Sequence, residues 1–243
     1  MTMNGLFITG TDTEIGKTLI TALLSLGLRK HGMNCCPVKP IATGGILHHG
    51  NLISEDVLFY QKVTGIRETE SIMNPVCLKR PASPHFAASL EARSIHPPEI
   101  IRFLRGLARS YEALLVEGIG GWLVPITEEY SVADFASELG LPVILVSANK
   151  LGTLNHTLLT LESMRTRGIE PAGVFFSKPT PLIESDMDAN NIETIQTIGH
   201  VEILGSVPYL DSRLFEESSR EILWQNVKET IQWSKIIQCL RTH

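Results

Sequence analysis

The sequence has no basic excess. Its 21 Lys and Arg face 26 Asp and Glu, for a net charge of −5, which argues against a nucleic-acid partner because such proteins present a basic face. No apolar run is long enough to cross a bilayer, so no membrane association is expected. The opening M-T-M-N-G has no basic stretch ahead of an apolar one, so a signal peptide is not expected. Cysteine is sparse. Cys35, Cys36, Cys77 and Cys239 form no C-x-x-C pair and no Cys-His zinc spacing, which reads as free thiols in a reducing cytoplasm. Repeats, low-complexity segments and linkers are also missing. What remains is 243 residues, 43% hydrophobic and 19% charged, enough for one α/β domain over 1–243 with a buried core.

Short apolar runs alternate with longer helical patterns. A-L-L-V-E at 113–117 and P-V-I-L-V-S at 142–147 are continuous apolar runs, suited to strands buried on both faces of a parallel sheet. Further strands are expected at 6–9, 34–39, 172–177 and 201–204. Helices are expected at 16–31, 54–64, 97–109, 153–167 (closed by Gly168) and 221–240. This rhythm predicts a doubly wound, mostly parallel sheet with helices on both faces. Residues 41–51 and 66–89 read as loop-rich regions, and long loops at strand ends in such sheets usually carry the site.

The most informative stretch is F-I-T-G-T-D-T-E-I-G-K-T-L-I, a strand, a glycine loop, Lys17-Thr18 and a helix. Its glycines allow backbone N–H groups to turn inward onto phosphate oxygens, and the following helix start adds its positive end. Lys17 reaches β- and γ-phosphates and the Thr18 hydroxyl suits magnesium. Five residues separate Gly10 from Gly16, where the usual loop has four. The extra residue brings Asp12, Thr13 and Glu14 to the rim, where Glu14 either meets a second substrate or is solvated. Magnesium also needs carboxylates. Glu117 ends a strand ahead of glycines and either faces the crevice of such a sheet or is a solvated strand end. Asp56 reads either as a metal ligand or as a helix-start acid matched to the dipole. Lys39, ending a strand before Pro40, either points into the crevice or lies at the surface. The start at 150–155 is either a second anion site or a helix capped by Thr153. His85 reads as an ordinary loop histidine.

The ordered series T-G-T-D-T-E-I-G-K-T, K-P-I-A-T-G, S-P-H, V-E-G-I-G-G-W, P-V-I-L-V, K-L-G-T-L-N-H and G-S-V-P-Y-L resembles the dethiobiotin synthetase family from Thr9 to about Leu210. That family's loop also carries five residues between its glycines. The resemblance implies a P-loop NTPase-like fold and an ATP-dependent ligase that joins carbon dioxide to 7,8-diaminononanoate. A carbamate forms, is phosphorylated, and closes to dethiobiotin in biotin biosynthesis. It further implies that Glu14, Ile15, Gly16, Lys17, Thr18 and Leu19 wrap the phosphates, with Gly118, Ile119 and Gly120 alongside. Lys17, Lys39 and Thr13 would be catalytic, and Thr18, Asp56 and Glu117 would hold Mg2+. Thr13, Lys39 and Thr43 would meet the diamine-carbamate end. Lys150, Leu151, Gly152, Thr153 and Asn155, supplied by a neighbouring subunit, would take the substrate carboxylate, which makes the protein a cytoplasmic homodimer with shared sites. Ser177, Lys178, Pro208, Tyr209 and Leu210 would lie at the base. The family usually has an Asn pair where this chain has Ser177-Lys178, so base preference is open; serine cannot make the paired amide contact.

Other readings fit less well. A partner-positioning ATPase switch usually carries an extra lysine early in the loop, and 10–15 has none. A cobyrinate-type amidase carries a glutaminase domain with a catalytic cysteine, whereas here the chain stops after one domain and Cys239 sits in the last helix. A nucleotide-binding protein without activity would not need Lys17, Thr18, Lys39, Asp56 and Glu117 together.

Overall fold

The continuous apolar runs become strands covered on both sides. In the computed structural model, which describes residues 3–181 and 186–241, every residue of β1 (Gly5–Gly10) is buried. The chain then forms α1 (Lys17–Lys30), β2 (Cys35–Val38), the two-residue β3 (Ile41–Ala42), and a hairpin of β4 (Ile46–His48) and β5 (Asn51–Ile53). Next come α2 (Glu55–Thr64), α3 (Glu70–Met73), β6 (Val76–Cys77), α4 (Pro84–Leu90), α5 (Pro97–Leu107) and β7 (Ala113–Glu117). α6 (Val132–Leu139), β8 (Val143–Ala148), α7 (Thr153–Thr166), β9 (Gly173–Ser177), α8 (Asp186–Ile198) and β10 (Ile203–Val207) follow, and the chain closes with α9 (Arg220–Val227) and α10 (Trp233–Arg241). The domain expected over 1–243 extends into 1–2, 182–185 and 242–243, which lie outside the described residues.

The main sheet has the order β10-β9-β8-β1-β7-β2, all neighbours parallel. β7 and β8 are buried throughout, like β1, so helices cover both faces, as a parallel sheet requires. Connections run outward from β1 in both directions, so the crevice at its C-terminal end is the switch point where ligands bind in such sheets.

The elements expected from the sequence are present, with ends shifted by at most three residues, apart from the last helix. The loop-rich regions 41–51 and 66–89 also hold short elements: the β4–β5 hairpin, the β3–β6 pair, α3 and α4. Two expectations fail. His85 is not in a loop but in the first turn of α4. The terminal helix expected over 221–240 is broken. Ile231 bridges Gly205, Ser206 N–H donates to the Thr230 carbonyl, and Gln232 N–H donates to the Leu204 carbonyl. The exposed edge of β10 captures this segment, a long-range pairing that helical periodicity cannot reveal.

Candidate functional site

Three adjacent strand ends build the site. β1 delivers the loop after Gly10, β7 delivers Glu117, and β2 delivers Lys39 one residue past its end. The loop geometry demands glycine at both ends. A Cβ on Gly10 would lie 2.5 Å from Ile15 Cδ1, and Gly16 has φ +94° with Ser177 Oγ 2.6 Å from where a Cβ would stand. Gly16 is also the cap of α1 and offers no side chain, so the first-turn N–H groups and the positive end of the helix face outward. Ser177 Oγ donates to the Ile15 carbonyl at 2.5 Å and ties the loop to the end of β9.

The charged side chains converge behind this loop. Lys17, 5% exposed, donates to the Asp12 carbonyl at 2.7 Å. Burial, then the charge of Lys39, lowers its pKa to about 8 despite the opposing pull of Glu117, Asp56 and Asp12. Lys39 Nζ lies 2.5 Å from Glu117 Oε1 and 3.1 Å from Asp56 Oδ2. Its burial favours the neutral amine, but the two carboxylates outweigh that and raise its pKa. Its backbone is pinned by its own N–H to Met73 O and by Asn74 Nδ2 to its carbonyl. Burial likewise works against the Asp56 carboxylate, but Lys39, Thr18 and Ser54 together hold it below the usual range. Thr18 Oγ1 lies 2.8 Å from Asp56 Oδ1 and 3.0 Å from Glu117 Oε1; its single proton serves one of them at a time. Asp56 lies in the first turn of α2, whose cap is Ser54, and its carboxylate also faces Thr18 and Lys39.

One cavity of about 210 Å³ is lined by Thr13, Glu14, Gly16, Lys17, Thr18, Lys39, Thr43, Asp56, Glu117, Ile119 and Gly120. Most of the expected phosphate, metal and carbamate residues therefore share one space. Ile15 and Gly118 are buried and do not line it, and Leu19 packs on the core. Among the described residues no cluster of three His, Cys, Asp or Glu could hold a metal alone. The Thr18 hydroxyl with two carboxylates is an all-oxygen, incomplete set. It fits magnesium, which keeps waters and takes phosphate oxygens to complete its shell.

A second cavity of about 730 Å³ lies across the loop tip, lined by Asp12, Thr13, Glu14, Asn149, Lys150, Lys178, Pro179 and Thr180. There Lys178 pairs with Asp188, and Asn149 accepts from Asn191 Nδ2. α7 is preceded by Gly152, φ +89°, again with no side-chain cap. Thr153 therefore does not cap it; its hydroxyl is buried against Ser147 Oγ at 2.8 Å. Leu151 and Asn155 are exposed at that start. Pro208, Tyr209 and Leu210 follow β10 and line neither cavity.

Tyr60 was not anticipated. It is fully buried on α2 and its hydroxyl donates to Glu117 Oε2. Burial, then the Glu117 charge, keeps its phenol protonated well above the usual range. Its spacing of four from Asp56 placed it on the same helix face, but nothing in the sequence says that this face looks at Glu117.

Comparison with known proteins places the chain in a family. A family model described as AAA domain matches residues 4–215. The ATP-dependent dethiobiotin synthetase of Halalkalibacterium halodurans is 39% identical over 207 residues, covering 84% of each chain. That of Methanocaldococcus jannaschii is 39% identical over 206 residues, covering 83% of this chain and 92% of its own. The solved MinD cell division protein of Aquifex aeolicus, at 14% identity, superposes with a TM-score of 0.56 over 98% of this chain and 96% of its own. At that identity the likeness shows the P-loop NTPase fold alone. With relatives this similar over most of both chains, the protein belongs to the dethiobiotin synthetase family.

Proposed function

We propose that this protein is a single-domain, ATP-dependent dethiobiotin synthetase that carboxylates and cyclises 7,8-diaminononanoate. One amine adds to carbon dioxide and loses a proton, giving a carbamate. A carbamate oxygen attacks the γ-phosphorus and ADP leaves, giving a mixed carbamic-phosphoric anhydride. The second amine attacks the carbonyl carbon, inorganic phosphate leaves, and the amine proton is lost as the ring closes. The observation that carries the reading is the convergence of Lys17, Thr18, Lys39, Asp56 and Glu117 on one cavity under an uncapped helix start, in a chain 39% identical to enzymes of that name.

Each residue has a defined task. Phosphoryl transfer asks the protein for alignment and charge neutralisation rather than covalent chemistry. Lys17 and the N–H groups from Gly16 to Leu19 hold the phosphates, with Gly118 to Gly120 alongside. Lys39 exchanges its carboxylate partners for the carbamate and the γ-phosphate, and Thr13 and Thr43 orient the diamine end. Thr18, Asp56 and Glu117 hold Mg2+, whose contribution when bound is to neutralise charge on the phosphate oxygens. The start of α7, with Lys150, Leu151, Gly152, Thr153 and Asn155, receives the distal carboxylate from the neighbouring subunit of a cytoplasmic homodimer. Ser177, Lys178 and Pro208 to Leu210 lie toward the base. Because the Ser177 hydroxyl is spent on Ile15, base contacts fall to Lys178 and backbone.

The test is incubation with ATP, Mg2+, bicarbonate and diaminononanoate, with detection of dethiobiotin by mass spectrometry. Product is expected only when all four are present. Intact nucleotide binding without product would keep the fold and overturn the substrate.

A further inference from the structure

We infer that Tyr60 is a positioning residue for magnesium: its hydroxyl holds Glu117 so that a single carboxylate oxygen, Oε1, is offered to the site. This rests on the reading of Thr18, Asp56 and Glu117 as metal ligands.

Tyr60 has no exposed surface, and an apolar residue of the same size would fill its place. What the tyrosine adds is a hydroxyl, and its proton goes to Glu117 Oε2. Oε1 has different partners, Thr18 Oγ1 at 3.0 Å and Lys39 Nζ at 2.5 Å. The two oxygens of one buried carboxylate are thus divided between a fixed structural partner and the cavity. A carboxylate free to present both oxygens suits the loose shell of calcium, whereas magnesium demands near-ideal octahedral geometry. A partner behind a ligand sets its orientation, and removing such a partner lowers metal affinity. α2 ties this device to the rest of the metal set, since it carries Asp56 one turn before Tyr60.

The experiment is calorimetric titration of ADP into wild type, Tyr60→Phe and Tyr60→Leu, each across a series of Mg2+ concentrations and without metal. The Mg2+ needed for half of the metal-dependent gain in ADP affinity should rise about 10–100-fold in both variants. Metal-free ADP affinity should stay at the wild-type value. An unchanged Mg2+ requirement in folded Tyr60→Phe overturns the inference. So does an equal loss of ADP affinity with and without metal, because the hydroxyl would then support the whole pocket. If wild type itself gains nothing from Mg2+, the ligand reading of Thr18, Asp56 and Glu117 falls first and takes the role of Tyr60 with it.

Discussion

In the proposed reaction Lys17 and Lys39 would divide the cationic work by their surroundings. Lys17 is buried and, among the described residues, hydrogen-bonds to a carbonyl and not to a carboxylate, which leaves its charge for an anion. Lys39 is paired with Asp56 and Glu117 and, in the proposed role, would give up those contacts. Lys17→Ala should therefore remove charge stabilisation outright, lowering kcat about 10²–10³-fold, or about 3–4 kcal/mol of barrier. Steady-state kinetics reads this directly, and near-normal turnover would sink the phosphate-loop assignment. Lys17 and Thr18 were legible because strand, glycines, Lys-Thr and helix form one local pattern. Asp56 was ambiguous because a helix-start acid has a local use as well. Tyr60 was invisible because its role depends on a contact across 57 residues of chain.

At the scale of elements, β2 joins the site to the core. It carries Cys35 and Cys36, both without exposed surface, and ends just before Lys39. Burial pushes the Cys35 thiol from 9.0 up to about 11 and the Cys36 thiol up to about 12. Above pH 9 the unfolded chain releases these protons while the folded one keeps them. Stability is thus fully present below pH 9 and falls as pH rises toward 11, by about 1.4 kcal/mol per pH unit for each thiol. Lys17 acts in the opposite sense between about pH 8 and 10.5, because its folded pKa is lowered. Denaturant melts across pH 8–11 should show a net alkaline loss in wild type and a shallower slope in Cys36→Ala; equal slopes would contradict the buried-thiol account. The buried strands were legible from their apolar runs. The break between α9 and α10 was not, because the β10 edge that captures Ile231 lies more than twenty residues away in sequence.

At the scale of the whole molecule, the strand order explains why distant motifs meet. β1, β7 and β2 stand side by side, so residues from 17, 39 and 117 share one cavity although the chain between them is long. The opposite flank, β8 and β9, leads to Lys150 and Lys178 and the second cavity. The uncapped start of α7 and exposed Leu151 and Asn155 support the role of a shared carboxylate site. Asn155→Ala should weaken diaminononanoate binding several-fold and leave nucleotide affinity intact, as read by calorimetry with each ligand; equal loss of both would count against a shared site. The P-loop and the alternating elements made the fold legible, while the assembly rests on family resemblance.

The most direct test of the proposed reaction uses carbon dioxide carrying ¹⁸O in both oxygens. Dethiobiotin should form with one labelled oxygen in its ring carbonyl, and the phosphate released with it should carry the other. Unlabelled phosphate alongside ADP would mean that water, not a carbamate, takes the γ-phosphoryl group, and would contradict the account.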